Sequence, residues 1–304
     1  MATIIGNSNP NTLLGTAADD SIDGRGGNDT LVGRGGDDVM IGGIGNDFLY
    51  GDWRSDGDGG GDGDGGDDDD EAGHDNLSGG DGNDVIYGDG PEDDDDGGGD
   101  GLGGDGDGGG DDDDEGGNDT LSGGAGTDTM YGGGGDDSLN GGSGNDVLWG
   151  DSLPEDDDGD GEDSDPDDDD EGRGADILTG GGGGDALHGG GGNDTLTGGT
   201  GADKFFFEHK GAANQDAITD FLGGTDEFRL DNDAFSGLGA AGNLSGSAFH
   251  AGTGAADASD RIIYNSSTGE LFYDSDGTGG NAQVIFATVQ IGASVSAGDF
   301  VVIN

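Results

Sequence analysis

Aspartate recurs in this sequence at a fixed place within a nine-residue unit. The unit is clear over residues 24–32, GRGGNDTLV, and it continues over 33–41 and 42–50. Counted from Gly15, it occurs fourteen times, and its sixth position is always aspartate: Asp20, Asp29, Asp38, Asp47, Asp75, Asp84, Asp119, Asp128, Asp137, Asp146, Asp176, Asp185, Asp194 and Asp203. Carboxylates in such a phase predict cation binding, above all of Ca²⁺, which takes an all-oxygen ligand shell.

Glycines precede each aspartate and complete the predicted site. The fourth position is glycine in every copy except the first, which has Ala18. Glycine permits the positive-φ turns that bring backbone carbonyl groups close together. We therefore expect several calcium ions, held by the aspartates and by turns at the first- and fourth-position glycines: Gly24, Gly27, Gly33, Gly36, Gly42, Gly45, Gly79, Gly82, Gly123, Gly126, Gly132, Gly135, Gly141, Gly144, Gly180, Gly183, Gly189 and Gly192.

The last three positions of the unit predict the elements that carry these turns. They are rich in Thr, Val, Tyr and Leu, which favour short strands. Side chains alternate along a strand, so the eighth residue points away from its two neighbours. That residue is always apolar, and stacked copies of it predict a thin core: Ile22, Leu31, Met40, Leu49, Leu77, Ile86, Leu121, Met130, Leu139, Leu148, Leu178, Leu187, Leu196 and Phe205. A flexible acidic linker has no reason to keep apolar residues in phase.

The composition agrees with an ion-dependent fold. Of 304 residues 79 are glycine and 28% are hydrophobic, and 70 acidic residues face 8 basic ones, a net charge of −62. Such self-repulsion destabilises a compact state unless counter-ions neutralise it. Nucleic acid and anionic membrane surfaces are excluded as partners because both require a basic surface. We expect no membrane insertion, since the longest apolar stretches run only a few residues.

The unit resembles the RTX, or haemolysin-type, nonapeptide repeat G-G-x-G-x-D-x-U-x, a calcium-binding β-helix repeat. The resemblance covers about residues 15–206 and implies an all-β fold, a parallel β-roll in which two nonapeptides form one coil. It also implies calcium between turns stacked on the same edge. Aspartates of alternate repeats should then pair, Asp29 with Asp47, Asp47 with Asp84, and Asp84 with Asp128.

Three repeats, the fifth, seventh and eleventh, are interrupted after their second residue, at Asp52, Asp89 and Asp151. The inserts run over about 53–71, 90–115 and 152–172 and hold 35 of the 70 acidic residues. All three repeats are odd-numbered, so the inserts should leave from one edge of the roll. There they either form an auxiliary, lower-affinity calcium-loading patch or are simply solvated expansions. The opposite edge should keep an unbroken ladder.

The flanking regions differ from the repeats. Residues 1–14 are expected to cap the roll, and residues 207–304 form a β-rich region with a predicted hairpin over 261–273. This region is similar to the one that follows the repeats in serralysin-type secreted proteins. That similarity implies export by a type I secretion machinery through an uncleaved C-terminal signal, which Asp299 and the apolar residues 300–303 match.

The functional prediction is a secreted, extracellular calcium-binding protein without enzymatic activity. His74 and His188 are expected at the surface, and no H-E-x-x-H or G-x-S-x-G motif occurs. Two alternatives remain open. One is a surface or matrix adhesion module that contacts polysaccharide or its own copies through calcium, and the other is the carrier part of a larger secreted hydrolase.

Overall fold

The computed structural model describes residues 1–52, 73–89, 117–151, 174–211 and 213–304. The three acidic inserts lie outside the described residues. The described ranges consist mainly of short strands, numbered β1 to β24 along the chain, with a 3-10 turn at Ala297–Asp299. No helix in this part of the chain has the length and apolar character needed to cross a membrane.

The strands form two sheets, and successive repeats alternate between them. The first sheet has the order β1 (Thr3–Ile5), β3 (Ser21–Asp23), β5 (Val39–Ile44), β7 (Asn76–Asp81), β9 (Thr120–Ala125), β11 (Ser138–Ser143), β13 (Ile177–Gly182), β15 (Thr195–Thr200), β17 (Asp216–Ile218), β23 (Val284–Thr288), β22 (Glu270–Tyr273), β21 (Ile262–Asn265) and β20 (Phe249–Ala251). The second has the order β19 (Gly242–Asn243), β24 (Phe300–Ile303), β18 (Glu227–Asp231), β16 (Lys204–Phe207), β14 (Ala186–His188), β12 (Val147–Trp149), β10 (Thr129–Tyr131), β8 (Val85–Tyr87), β6 (Phe48–Asp52), β4 (Thr30–Arg34) and β2 (Thr12–Leu14).

This arrangement is the predicted parallel β-roll with two nonapeptides per coil. Within the repeats all neighbouring strands are parallel and in register, as in the pairing of Leu31 with Leu49 and of Leu121 with Leu139. Odd-numbered repeats lead into the first sheet and even-numbered repeats into the second. We call the turns of the odd-numbered repeats the odd edge and those of the even-numbered repeats the even edge.

The eighth-position residues form the core between the two sheets. All fourteen are 1% exposed or less. Each sheet contributes one column of them, and the two columns face each other as one hydrophobic cluster. Because one side chain per repeat fills this space, the core stays thin along the whole roll.

The sheets extend beyond both predicted boundaries of the repeat region. β1 and β2, inside residues 1–14, pair in parallel with β3 and β4. At the other end β17 and β18 continue the two sheets after residue 206. The predicted hairpin is present as the antiparallel pair β21–β22.

The C-terminal end has a thicker, aromatic core. Phe228 stacks on Phe221 and on Phe300, with ring centroids 4.3 and 4.6 Å apart. Phe286 packs edge-on against Phe235 at 5.1 Å. This end therefore has conventional hydrophobic packing that the repeats lack.

An aromatic row crosses the outer face of the second sheet at the ninth position of the even-numbered repeats. It consists of Tyr50, Tyr87, Tyr131, Trp149, His188 and Phe206. Successive rings lie 3.5 to 6.4 Å apart and within 17° of parallel. The in-register stacking of coils about 4.8 Å apart imposes this geometry.

The aromatic row should contribute measurably to stability. Tyr87 stacks on two tyrosines, so Tyr87→Ala should lower the free energy of unfolding by about 1–3 kcal/mol, at roughly 0.5–1.5 kcal/mol per aromatic pair. Tyr87→Phe keeps the ring and should stay near the wild type. Urea unfolding in saturating calcium measures both, and equal stability of the two variants would contradict a role for stacking.

Candidate metal centres

The fourteen repeat aspartates form two continuous ladders, one along each edge. In each ladder the backbone N–H of one aspartate donates to Oδ1 of the aspartate in the next coil. The N–H of Asp29 bonds Asp47 at 2.7 Å, that of Asp47 bonds Asp84 at 2.8 Å, and that of Asp84 bonds Asp128 at 2.9 Å. The expected pairing of alternate repeats is therefore present, and it orients every side chain in the same way.

The second oxygen of most of these carboxylates is left without a hydrogen-bond donor. All fourteen aspartates are 3% exposed or less. Twelve of them have a buried Oδ2 without any hydrogen-bond donor in the described residues: Asp29, Asp38, Asp47, Asp75, Asp84, Asp119, Asp128, Asp137, Asp146, Asp176, Asp185 and Asp194. A buried, unpaired carboxylate oxygen is costly, so the ladders require a cation at these points.

Each orphaned oxygen faces a groove formed by glycine. A Cβ placed on Gly42 would lie 2.5 Å from Oδ2 of Asp47 and 2.8 Å from the carbonyl oxygen of Gly79, one coil further along. The same arrangement recurs at Gly141, with Asp146 and Gly180. A side chain at the first position would fill the space in which carboxylate and carbonyl oxygens converge.

The fourth-position glycines have a different role from the first-position ones. Gly45, Gly82 and Gly126 have φ values of +142°, +143° and +150°, which other residues rarely adopt. Second-position glycines such as Gly43 are also in this region, at +110°. The turn therefore depends on positions two and four for its backbone path and on position one for open space.

The donor set fits calcium. Within the described residues, no three carboxylate or imidazole side chains cluster around one point. Grooves such as those at Gly42 and Gly141 instead offer a carboxylate oxygen together with a backbone carbonyl oxygen of the next coil. Calcium accepts such mixed oxygen shells and tolerates irregular geometry. The repeat aspartates and first-position glycines would hold the ion, which would supply the positive charge the buried ladders need.

Both ladders continue past the fourteen predicted aspartates. The N–H of Asp194 donates to Asp216 and that of Asp203 donates to Asp226, each at 3.2 Å. At the other end Asn11 takes the aspartate position, and its N–H bonds Asp29 at 2.7 Å. Sequence analysis missed Asp216 and Asp226 because their spacing departs from the nine-residue period.

The fifth position carries a second ladder that sequence analysis also missed. The Asn46 N–H donates to Oδ1 of Asn28, and the Asn83 N–H donates to Oδ1 of Asn46. On the odd edge Nδ1 of His74 accepts from Asn118 N–H at 2.7 Å. The asparagine that recurs directly before the repeat aspartate could have predicted this ladder.

His188 corrects one sequence-based expectation. It is 7% exposed rather than at the surface. Its ring lies between Trp149 at 3.5 Å and Phe206 at 3.8 Å, and its Nδ1 is 3.2 Å from Oε1 of Glu208. The ninth position faces outward, but the neighbouring rings of the row cover it.

The three interrupted repeats open from the odd edge, as predicted. Asp52, Asp89 and Asp151 are the last described residues before each insert, and all three belong to odd-numbered turns. Strands β7 and β9, which follow the first two inserts, are direct neighbours in the first sheet. The predicted calcium-loading patch within the inserts lies outside the described residues.

The two edges differ in their electrostatics. On both, burial raises the pKa of most ladder carboxyls, to about 7 for Asp84 and about 6 for Asp128 and Asp185 on the even edge. On the odd edge burial raises the pKa to about 9 for Asp75, 8 for Asp119, 10 for Asp137 and 8 for Asp176. The charges of Asp52, Asp89 and Asp151 add to burial beside the inserts, so that part of the odd edge has the greater need of cations. Elsewhere on this edge the pKa is about 7 for Asp38 and about 6 for Asp194, and hydrogen bonds from Ala2 and Thr16 lower the pKa of Asp20.

These shifts predict an inverted pH dependence for the calcium-free protein. The pKa of these carboxyls is higher in the roll than the ordinary 3.8, so the roll binds their protons more tightly than the unfolded chain does. The stabilisation is full below pH 3.8 and is lost as the pH rises through the raised values. Circular dichroism in chelator should show more β structure at about pH 5 than at about pH 9. Loss of β structure on acidification would contradict this expectation.

Comparisons with known proteins agree with the ladders. A family model of the RTX calcium-binding nonapeptide repeat (4 copies) matches residues 5–40, 24–53, 69–99, 113–148 and 172–205. No curated protein sequence matches the chain.

Two solved structures are similar at low TM-score. The AlgE6R3 subunit of the Azotobacter vinelandii mannuronan C5-epimerase has 23% identity and a TM-score of 0.34, over 56% of this chain and 80% of that one. The extracellular lipase LipA from Serratia marcescens has 16% identity and a TM-score of 0.20, over 98% of this chain and 39% of the lipase. The family model and the phased aspartates together show that this chain belongs to the RTX family of calcium-binding repeat proteins.

Proposed function

We propose that this chain is a secreted, non-enzymatic calcium-binding protein that leaves the cell unfolded through a type I secretion machinery and folds on binding extracellular calcium. The observation that carries the proposal is the set of buried, unpaired Oδ2 atoms along both ladders. Without ions these atoms oppose folding. With ions they become ligands, so binding free energy becomes folding free energy.

The charge of the chain supports the link between export and folding. At low calcium a net charge of −62 keeps the chain expanded. Extracellular repeat modules bind calcium at dissociation constants of about 0.1–1 mM, which matches the concentration outside cells. Ion binding then adds stability to the folded state alone by mass action.

The C-terminal segment supports export before folding. Residues 299–303 match a type I export signal in sequence, and in the folded chain this segment is covered. Phe300 and Val302 are at most 1% exposed, and β24 pairs with β18 and β19. Asp299 is 3% exposed and accepts hydrogen bonds from the N–H groups of Gly224 and Ser296, each at 2.7 Å. A signal buried in this way is readable only while the chain is unfolded.

Structural uses of the polar residues support a non-enzymatic role. The repeat aspartates lie in the two ladders, where backbone N–H groups hold them. His74 belongs to the fifth-position ladder and His188 to the aromatic row. Each of these groups thus has a structural role in the roll.

The full chain should show little β structure in chelator and gain it cooperatively as calcium is added. Far-ultraviolet circular dichroism during a calcium titration measures this change. Asp128→Ala removes an orphaned oxygen from the even ladder and should shift the titration midpoint to higher calcium. Asp81→Ala removes an exposed turn aspartate and serves as the matched control. A chain equally rich in β structure in chelator and in calcium would refute the proposal.

A further inference from the structure

In the even turns, a backbone carbonyl lies against each second-position glycine. A Cβ on Gly80 would overlap the carbonyl oxygen of Gly43, and one on Gly124 would overlap that of Gly80. The same contact recurs at Gly142, with the carbonyl oxygen of Gly124. In these turns a second-position carbonyl oxygen thus regularly occupies the space beside the second-position glycine of the next coil.

Two odd turns place a carboxylate where the even turns place this carbonyl. A Cβ on Gly133 would lie 2.5 Å from Oδ2 of Asp89, and one on Gly190 would overlap Oδ2 of Asp151. The N–H of Gly134 donates to Asp89 Oδ2 at 3.0 Å, and the N–H of Gly191 donates to Asp151 Oδ2 at 2.6 Å. Each side chain therefore reaches from its own coil to the next odd turn.

The position of the inserts explains this replacement. Asp89 and Asp151 are the second residues of interrupted repeats, so each is followed in sequence by an insert rather than by the third residue of its turn. The receiving turns, residues 132–135 and 189–192, consist entirely of glycine and leave space for the incoming side chain. Asp52 has the same sequence position, but its Oδ2 accepts from Gly73 N–H at 2.6 Å within its own repeat.

Orphaned carboxylates surround both replacement groups. Asp119, Asp137 and Asp176 are at most 2% exposed, and the Oδ2 atom of each lacks a hydrogen-bond donor in the described residues. A Cβ on Gly88, directly before Asp89, would overlap Oδ2 of Asp119, and one on Gly150, directly before Asp151, would overlap Oδ2 of Asp176. The additional carboxylates therefore lie within the field of ladder oxygens that already need a cation.

We propose that Asp89 and Asp151 are calcium ligands added to the odd edge, each standing in for the second-position carbonyl of an ordinary turn. The proposal rests on the calcium-dependent folding proposed above. A carboxylate brings a full negative charge where a carbonyl brings only a dipole, and calcium affinity rises with the charge of the ligand set. The odd-edge sites next to the inserts therefore bind calcium more tightly than the repeat pattern alone provides.

The aromatic row offers a readout that favours the odd edge. Trp149 directly precedes Gly150, whose Cβ would overlap Oδ2 of Asp176. The ninth-position residues that precede the even turns are not aromatic, for example Ser122, Asn140 and Thr179. Terbium, a luminescent substitute for calcium, is sensitised by a nearby indole, so emission excited through Trp149 reports odd-edge sites. The second tryptophan, Trp53, is removed by Trp53→Phe in all variants.

In this background, Asp151→Asn removes the charge and keeps an acceptor for Gly191 N–H. We expect the terbium concentration at half-maximal emission to rise about tenfold or more, since changes even in the outer shell of a metal site commonly cost 10–100-fold in affinity. Asp81→Asn, which removes an exposed charge from an even turn, should leave this concentration unchanged. Circular dichroism at saturating calcium verifies that each variant folds.

Three results would decide whether Asp151 is a calcium ligand or only a hydrogen-bond acceptor, and whether the proposed function itself fails. If Asp151→Asn matches the parent protein while Asp151→Ala is impaired, the aspartate is only a hydrogen-bond acceptor and the inference is wrong. If Asp151→Asn fails to fold, Asp89→Asn provides the same comparison through Tyr131, which precedes Gly132. A parent chain that does not fold with calcium would instead refute the proposed function.

Discussion

Buried carboxylate oxygens without donors are the constraint on which this structure depends. Twelve of the fourteen repeat aspartates use one oxygen to align the neighbouring coil and leave the other, without a donor, facing a glycine-lined groove. The same side chain thus sets the spacing of the coils and creates the need for an ion. A core of one apolar residue per repeat cannot offset the repulsion of two acidic ladders, so the ions are part of the fold itself.

The sequence predicted the roll because its signals repeat in phase. Fourteen aspartates and fourteen apolar residues at a fixed offset predicted turns with cation sites, short strands and a thin stacked core. The resemblance to RTX repeats implied the rest, two repeats per coil with alternate repeats on opposite edges. Residues outside the phase were not predictable in this way. Asp216 and Asp226 follow their ladder neighbours by 22 and 23 residues, where uninterrupted coils use 18. The burial of His188 depends on rings that are distant in sequence and meet only after the coils stack.

The positions of the inserts in the sequence showed that the two edges differ. They did not show which side chains make the odd edge chemically different. From the sequence, the acidic inserts themselves were expected to distinguish the odd edge, as an additional calcium-loading patch. In the described residues the difference lies directly before two of the inserts, where the second-position aspartates Asp89 and Asp151 accept hydrogen bonds from glycines of the next odd turn. Spacing alone could not show this, because Asp89 and Gly133 are brought together by the stacking of coils rather than by any local pattern.

The uniformity of the coils has a further consequence for how the chain finds a single alignment. Aspartate at position six and an apolar residue at position eight recur in every repeat. Strand β4 could therefore pair with β8 as well as with β6 and still align its aspartate and its apolar residue with those of the neighbouring coil. The repeat motif therefore determines the shape of each coil but not which coil packs next to it. The irregular features remove this degeneracy: the ordered change from tyrosine to tryptophan, histidine and phenylalanine along the aromatic row, and the all-glycine turns beside Asp89 and Asp151. In this chain the residues that depart from the motif specify which coils become neighbours.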